Sequence, residues 1–244
     1  MVFLLALKTF RLLTYNIHKG VAPFRKLSVI DRLRISLKES EADFLLLQEF
    51  VGERQLSRSK TERHLEALAD ERWPYSAYGK NAVFPTRNHG NAILSAKPIL
   101  KFHNLDLTIY PVEKRGLLHA ELEINGRPLH LCAVHLDLFE FTRKQQLERV
   151  VEYLKKIPAD EPFILGGDFN DWARKVGSTL HKELGLTEYV GPSFPAWHPI
   201  LSLDRLYVRN VKVKKFMVLE HPPFNRLSDH LPLCLEFQVP SSRS

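Results

Sequence analysis

The sequence predicts an α/β protein built in layers around a mixed β-sheet. Strand-like runs recur from one end to the other, helical periodicities lie between some of them, and Asn125-Gly126 joins two runs as a tight hairpin of the primed-turn type. Hairpins together with strand–helix alternation exclude a purely parallel sheet.

In order, the strand-like runs fall at residues 10–17, 43–48, 91–96, 117–124, 128–136, 162–165, 203–208, 211–219 and 231–239. Ser28-Val29-Ile30-Asp31 reads as a capping box opening a helix with Ile30, Leu33 and Leu37 on one face. Leu147, Val150, Val151 and Leu154 follow the i, i+3, i+4, i+7 spacing of a second helix. Shorter helices are expected over 62–71 and over 178–184, the latter ending at Gly185. The Pro- and aromatic-containing stretch 191–198 is a long loop of the kind that borders a site.

The chain has 244 residues, 44% of them hydrophobic and 26% charged, which fits one domain spanning 1–244 and excludes a disordered chain or a coiled coil. Its longest apolar run after the start, Phe44-Leu45-Leu46-Leu47, is far short of the ~18 residues that cross a bilayer. The first seven residues make a poor signal peptide, so the expected location is the cytoplasm. Cys132 and Cys234 lie in apolar runs, where a thiol acts as a small hydrophobe. A formal net charge of +7 suits either a polyanionic partner or plain solubility, because the basic residues are scattered.

The ends of the apolar runs carry the chemistry. Residues 12–15 end at Asn16, residues 44–47 at Gln48-Glu49, residues 131–134 at His135, and residues 163–165 at Gly166-Gly167-Asp168-Phe169-Asn170. In open α/β architectures the carboxyl ends of strands line the ligand crevice. Asp204 and Ser228-Asp229-His230 precede runs instead, so they join the others at one edge if their strands run antiparallel to the first four. The set Asn16, Glu49, Asp168, Asn170, Asp204 and Asp229 is rich in oxygen, which suits a hard cation, Mg²⁺ or Mn²⁺, and not zinc. With His135 and His230 beside them, these groups point to phosphoryl chemistry. The templates for P-loop hydrolysis, hydride transfer, the serine-hydrolase elbow and zinc proteases are all missing from the sequence.

Thr14-Tyr15-Asn16, Gln48-Glu49, His135-Leu136, Gly167-Asp168-Phe169-Asn170, Leu203-Asp204-Arg205 and Ser228-Asp229-His230, in that order, resemble the motifs of the endonuclease/exonuclease/phosphatase superfamily, the DNase I-like fold. The resemblance implies a four-layer sandwich, two packed mixed sheets flanked by helices. It also implies Glu49 as the principal Mg²⁺ ligand with Asn16 and Asp229 near the metal, Asp168 activating water, and Asn170 holding the water or the phosphate. His230 is implied on the scissile phosphate with Asp204 behind it. His135 resembles the second histidine of the DNase I, sphingomyelinase and inositol-phosphatase branches. Arg115, within Lys114-Arg115-Gly116, is expected near substrate phosphate, and Asn91 is expected to support His135. Phe139 and Phe141 are read as core, the ordinary place for such side chains, with base stacking or insertion into lipid as the alternatives.

The expected protein is therefore a monomeric, metal-dependent hydrolase of phosphate esters with no obligate protein partner. Its first reading is a phosphodiesterase acting on nucleic acid. The alternative is a hydrolase of membrane phospholipid or small phosphorylated molecules on the same scaffold, and a domain that binds without catalysis is the third.

Overall fold

A computed structural model describes residues 7–20, 30–57, 60–69, 71–85, 87–110 and 113–241. Two mixed sheets pack face to face with helices on both outer sides. In chain order the elements are β1 (Phe10–Asn16), α1 (Ile30–Glu39), β2 (Phe44–Ser57), β3 (Lys60–Arg63), α2 (His64–Leu68), β4 (Tyr75–Phe84), β5 (Arg87–Ser95), β6 (Ile99–Asp106), β7 (Gly116–Ile124) and β8 (Arg127–His135). There follow α3 (Glu140–Leu154), β9 (Phe163–Asp168), α4 (Val176–Leu184), β10 (Thr187–Val190), β11 (Asp204–Arg209), β12 (Lys212–Val218), α5 (Phe224–Leu227) and β13 (Leu233–Gln238).

The first sheet has the order β12-β13-β1-β2-β5-β4, with β3 paired to β2, and the second β10-β11-β9-β8-β7-β6. Among the described residues, only β1–β2 and β8–β9 pair in parallel. The central strands are apolar on both faces because both faces are covered. Leu12, Leu46, Leu131 and Ile164 fill the space between the sheets. Leu13, Leu45 and Leu47 face outward onto Leu33 and Leu37 of α1 and Leu227 of α5. Cys132, Val134 and Leu165 face the other way, onto Leu147, Val150 and Leu154 of α3 and Leu180 of α4. Truncating one of these inner leucines to alanine is worth about 2–5 kcal/mol of stability.

Asn125 and Gly126 both take positive φ, 54° and 72°, the backbone a primed hairpin turn requires. Gly185 closes α4 in the left-handed conformation. Both cysteines are buried and free. The helix expected over 62–71 is corrected: residues 60–63 form a short strand on β2, and of the described residues in that span only His64–Leu68 are helical. Ser28 and Val29 of the expected capping box lie outside the described residues, while α1 itself begins at Ile30. Phe139 and Phe141 are corrected as well, since they are not core but 71% and 67% exposed at the entry to α3. No helix among the described residues is long and apolar enough to cross a membrane.

Candidate active site at the seam of the two sheets

Across the second sheet, register places His135, Asp168 and Asp204 side by side, on β8, β9 and β11. Across the first, Asn16 lies beside Gln48. Because β13 runs antiparallel to β1, the residues that precede it, Asp229 and His230, arrive at the same end. The two rows meet: Asn16 Nδ2 donates to Asp168 Oδ2 at 3.0 Å, and His230 Nδ1 lies 2.7 Å from Asp204 Oδ2. Six stretches distant in sequence thus form one site.

Local backbone aims the groups. Glu49 sits at a bulge where the β2–β5 register shifts, with φ of 52°, and a bulge re-aims the side chain it carries. Gly167 has φ of 154°, and a Cβ there would come 1.9 Å from Val134 O, so only glycine lets β9 lie against β8 immediately before Asp168. Asn170 takes φ of 49°, a conformation asparagine tolerates, with its Nδ2 donating to Leu136 O at 3.0 Å. Its backbone N–H donates to Asp168 Oδ1 at 3.0 Å, so both carboxylate oxygens of Asp168 are held. Behind the turn, fully buried Arg205 donates to Asp171 Oδ2 at 2.9 Å and also to the Asp171 carbonyl.

His230 Nε2 and His135 Nε2 lie 3.7 and 3.6 Å from the same oxygen, Asp168 Oδ2. Burial pulls the His230 imidazole down, but the charges of Asp204 and Asp168 and the Asp204 hydrogen bond outweigh it and lift it to about 10. Asp168 is pushed up to about 6, chiefly by burial and also by Asp204, against the opposing pull of His230. His135 goes well below the ordinary histidine range through burial and the nearby charges of Arg115 and His230. One histidine is therefore charged at neutral pH and the other neutral, 3.6–3.7 Å from one shared carboxylate oxygen.

Arg115 reaches the site, its Nη1 3.5 Å from His135 Nδ1 and its Nη2 2.8 Å from Glu113. Asn91 supports His135 through backbone and not by direct contact: its Nδ2 donates to Gly116 O at 2.8 Å and Ala133 O at 3.2 Å. Lys19, Glu49, Asn91, Arg115 and His135 line a cleft of about 570 Å³ whose wall also includes Val83, Phe84 and Leu138.

Three groups escaped the sequence reading. Ser193, in the loop expected to border the site, donates to Asp204 Oδ2 at 2.6 Å. His18 Nδ1 lies 3.3 Å from Asp229 Oδ2, and Lys19 Nζ 3.2 Å from Glu49 Oε2. The Asp229 hydrogen bond raises His18. Burial pushes Asp229 up, but the His18 hydrogen bond and the charges of His230 and His18 outweigh it and hold the carboxyl low. The available signal was position: His18 and Lys19 stand two and three residues past Asn16, just beyond the end of β1.

The residues fit a hard cation. Glu49 Oε2 is buried without a hydrogen-bond partner, and positive side chains face the carboxylates of Glu49 and Asp229. Ligand-type atoms of Asp168, Asp204 and His230 also lie within 4.8 Å of one another. That trio suits proton chemistry better than an ion, because a charged imidazole has no lone pair to give.

This fold and site define a phosphoesterase class, and the chain belongs to the endonuclease/exonuclease/phosphatase family, whose model matches residues 13–230. Membership points to hydrolysis of phosphate esters. The chain is 36% identical over 245 residues to the uncharacterized protein YbhP of Escherichia coli strain K12, covering 95% of this chain and 97% of that one. Among solved structures it resembles an endonuclease/exonuclease/phosphatase from Beutenbergia cavernae, with a TM-score of 0.78, 21% identity, and coverage of 95% of this chain and 72% of the other. D. rerio TDP2 complexed with a single-strand DNA product gives a TM-score of 0.66 at 17% identity, with coverage of 95% and 100%. At these identities the solved structures speak for the fold alone.

Proposed function

We propose that this protein is a Mg²⁺-dependent phosphodiesterase that hydrolyses its ester by in-line attack of water, with nucleic acid as the first substrate class. The observation that carries this reading is the convergence at the joined ends of two sheets of Asp168, oriented by Asn16 at 3.0 Å, with His230, whose Nε2 lies 3.7 Å from Asp168 Oδ2 and whose Nδ1 lies 2.7 Å from Asp204. These surroundings raise both the Asp168 carboxyl and the His230 imidazole. Two groups whose environments drive them apart divide acid and base roles.

Glu49, Asn16 and Asp229 would hold Mg²⁺, or Mn²⁺ in its place. When bound, the cation supplies positive charge against the phosphate oxygens as negative charge builds there. Asp168 takes the proton of the attacking water, its carboxylate oriented by Asn16 Nδ2 and the Asn170 N–H. Asn170 holds that water or the phosphate. His230, oriented and kept charged by Asp204, neutralises the scissile phosphate and protonates the departing oxygen. Neutral His135 and the Arg115 guanidinium bind the remaining phosphate oxygens.

The +7 charge suits a polyanionic substrate such as nucleic acid. A second reading, phospholipid hydrolysis, is favoured by a specific observation. Val83, Leu138, Phe139, Phe141, Trp172 and Ile200 are exposed and lie within a few residues of site or cleft residues in sequence. Half of these are aliphatic and cannot stack on bases, whereas all can enter the acyl boundary. The test is a panel of plasmid, abasic oligonucleotide, RNA, bis-p-nitrophenyl phosphate, p-nitrophenyl phosphate and sphingomyelin vesicles, with Mg²⁺ and with EDTA. Nicking that EDTA abolishes supports the first reading. Headgroup release without nicking selects the second, and no hydrolysis of any ester sinks both.

A further inference from the structure

A second constellation of histidines and carboxylates lies on the outer face of the second sheet, under the end of α3. It plays no part in the chemistry above. His130, in mid-β8, is five residues from His135, about 16 Å along the strand at ~3.3 Å per residue. Its side chain is 4% exposed, so a polar ring is held where the flanking Cys132 and Val134 pack against helices.

Cross-strand register assembles the group. His119 on β7 pairs with His103 on β6, and Glu121 on β7 pairs with His130. His130 Nε2 lies 2.6 Å from Glu161 Oε2, and His119 Nδ1 lies 2.9 Å from Tyr153 Oη. The remaining nitrogens, His119 Nε2 and His130 Nδ1, face each other at 2.9 Å. Glu121 Oε2 stands 3.8 Å from His130 Nδ1 and 3.0 Å from Lys101 Nζ. All of these side chains line a cavity of about 490 Å³.

Proton accounting narrows what the pair can do. Glu161 can only accept, so His130 Nε2 carries a proton, and in the neutral ring Nδ1 presents a lone pair. One proton between the facing nitrogens satisfies the pair, and it then belongs to His119 Nε2, with Tyr153 donating to Nδ1. Moving that proton to Nδ1, where Tyr153 Oη accepts it, leaves two lone pairs aimed at each other. That is the arrangement of two imidazole ligands whose outer N–H groups are already fixed, one by a carboxylate and one by a hydroxyl, as outer partners of metal-bound histidines usually are. Tetrahedral zinc with Zn–N bonds of ~2.0–2.1 Å sets two nitrogens ~3.3 Å apart, a few tenths of an ångström more than here.

We propose that this pocket is a second metal site, taking a borderline divalent cation of the zinc class through His119 Nε2 and His130 Nδ1, with Glu121 turning from Lys101 to become the third ligand. Two imidazoles and one carboxylate suit zinc and disfavour Mg²⁺, which separates this site from the oxygen-rich one at the seam. Burial pushes His119 down to about 4, so its ring is neutral and able to ligate at physiological pH. The ion ties β7 and β8 to each other and, through Tyr153 and Glu161, to the end of α3 and the turn that follows it.

The experiment is calorimetric titration of zinc chloride into the chelator-stripped full chain in excess Mg²⁺, which keeps the seam site filled. One equivalent binds, with affinity unchanged in Asp168→Asn, weakened about tenfold in Tyr153→Phe and at least about a hundredfold in His119→Ala and His130→Ala. If the alanine variants fail to fold, cobalt substitution of the wild type decides: an intense visible spectrum of a four-coordinate site supports the proposal. A weak, six-coordinate spectrum overturns it. So does the absence of saturable zinc binding, or binding lost in Asp168→Asn and kept in His119→Ala.

Discussion

Two imidazole–carboxylate pairs of nearly the same length occupy this molecule, His230–Asp204 at 2.7 Å in the seam and His130–Glu161 at 2.6 Å on the outer face. Their surroundings differ on the far nitrogen. His230 Nε2 faces a second carboxylate, Asp168, and the ring stays charged to about 10. His130 Nδ1 faces a second imidazole, and that neighbour, His119, is pushed down to about 4. A histidine–carboxylate pair is thus not by itself a catalytic element. What stands on the other side of the ring separates the two: a carboxylate at His230, a second imidazole at His130.

The largest expected effect that separates the two regions is at Asp168. Replacing it with asparagine removes the base and the second carboxylate facing His230. The turnover number falls about 10²–10⁴-fold, as initial rates on an activated diester measure it. Next comes Arg205, whose loss strands the buried carboxylate of Asp171. Urea unfolding of Arg205→Ala is expected to show a destabilisation of about 3–5 kcal/mol. Activity falls with it, because the turn carrying Asn170 is held from behind by that guanidinium.

Asp204→Asn sharpens the comparison at smaller cost. With one carboxylate gone His230 releases its proton more easily, so the alkaline limb of the pH–rate profile moves to lower pH and activity falls about tenfold to a hundredfold. In the wild-type protein the direction on each side is fixed. Activity rises as pH climbs through about 6, where Asp168 loses its proton, and falls as pH approaches about 10, where His230 loses its own. The smallest effect belongs to the exposed rim. Phe139→Ser and Phe141→Ser leave thermal stability within about 0.5 kcal/mol, because neither ring is packed.

The sequence made the seam legible and left the outer face dark. The seam residues stand where apolar runs stop, and a run that ends on Asn16, Glu49, His135 or Asp168 advertises an edge, although β2 itself continues past Glu49 through a bulge to Ser57. Antiparallel pairing of β11 and β13 then delivers Asp204 and His230 to that same edge, as the pattern implied. His119 and His130 sit inside strand runs. There a histidine looks like any interrupted alternation, and only register across β7 and β8 brings the two together. Strand β6 was missed because, as an edge strand with most residues exposed, it shows no alternation of apolar and polar positions. The helix expected over 62–71 failed at its start, where pairing with β2 overrode local helical spacing at residues 62–63.

The most direct measurement sets the two pairs against each other: Mg²⁺-supported hydrolysis of bis-p-nitrophenyl phosphate by His230→Ala and His130→Ala, both checked for native circular dichroism. The account predicts a loss of about 10²–10⁴-fold for His230→Ala and less than about threefold for His130→Ala. Equal losses in the two variants, or an His230→Ala protein as active as the wild type, would contradict it.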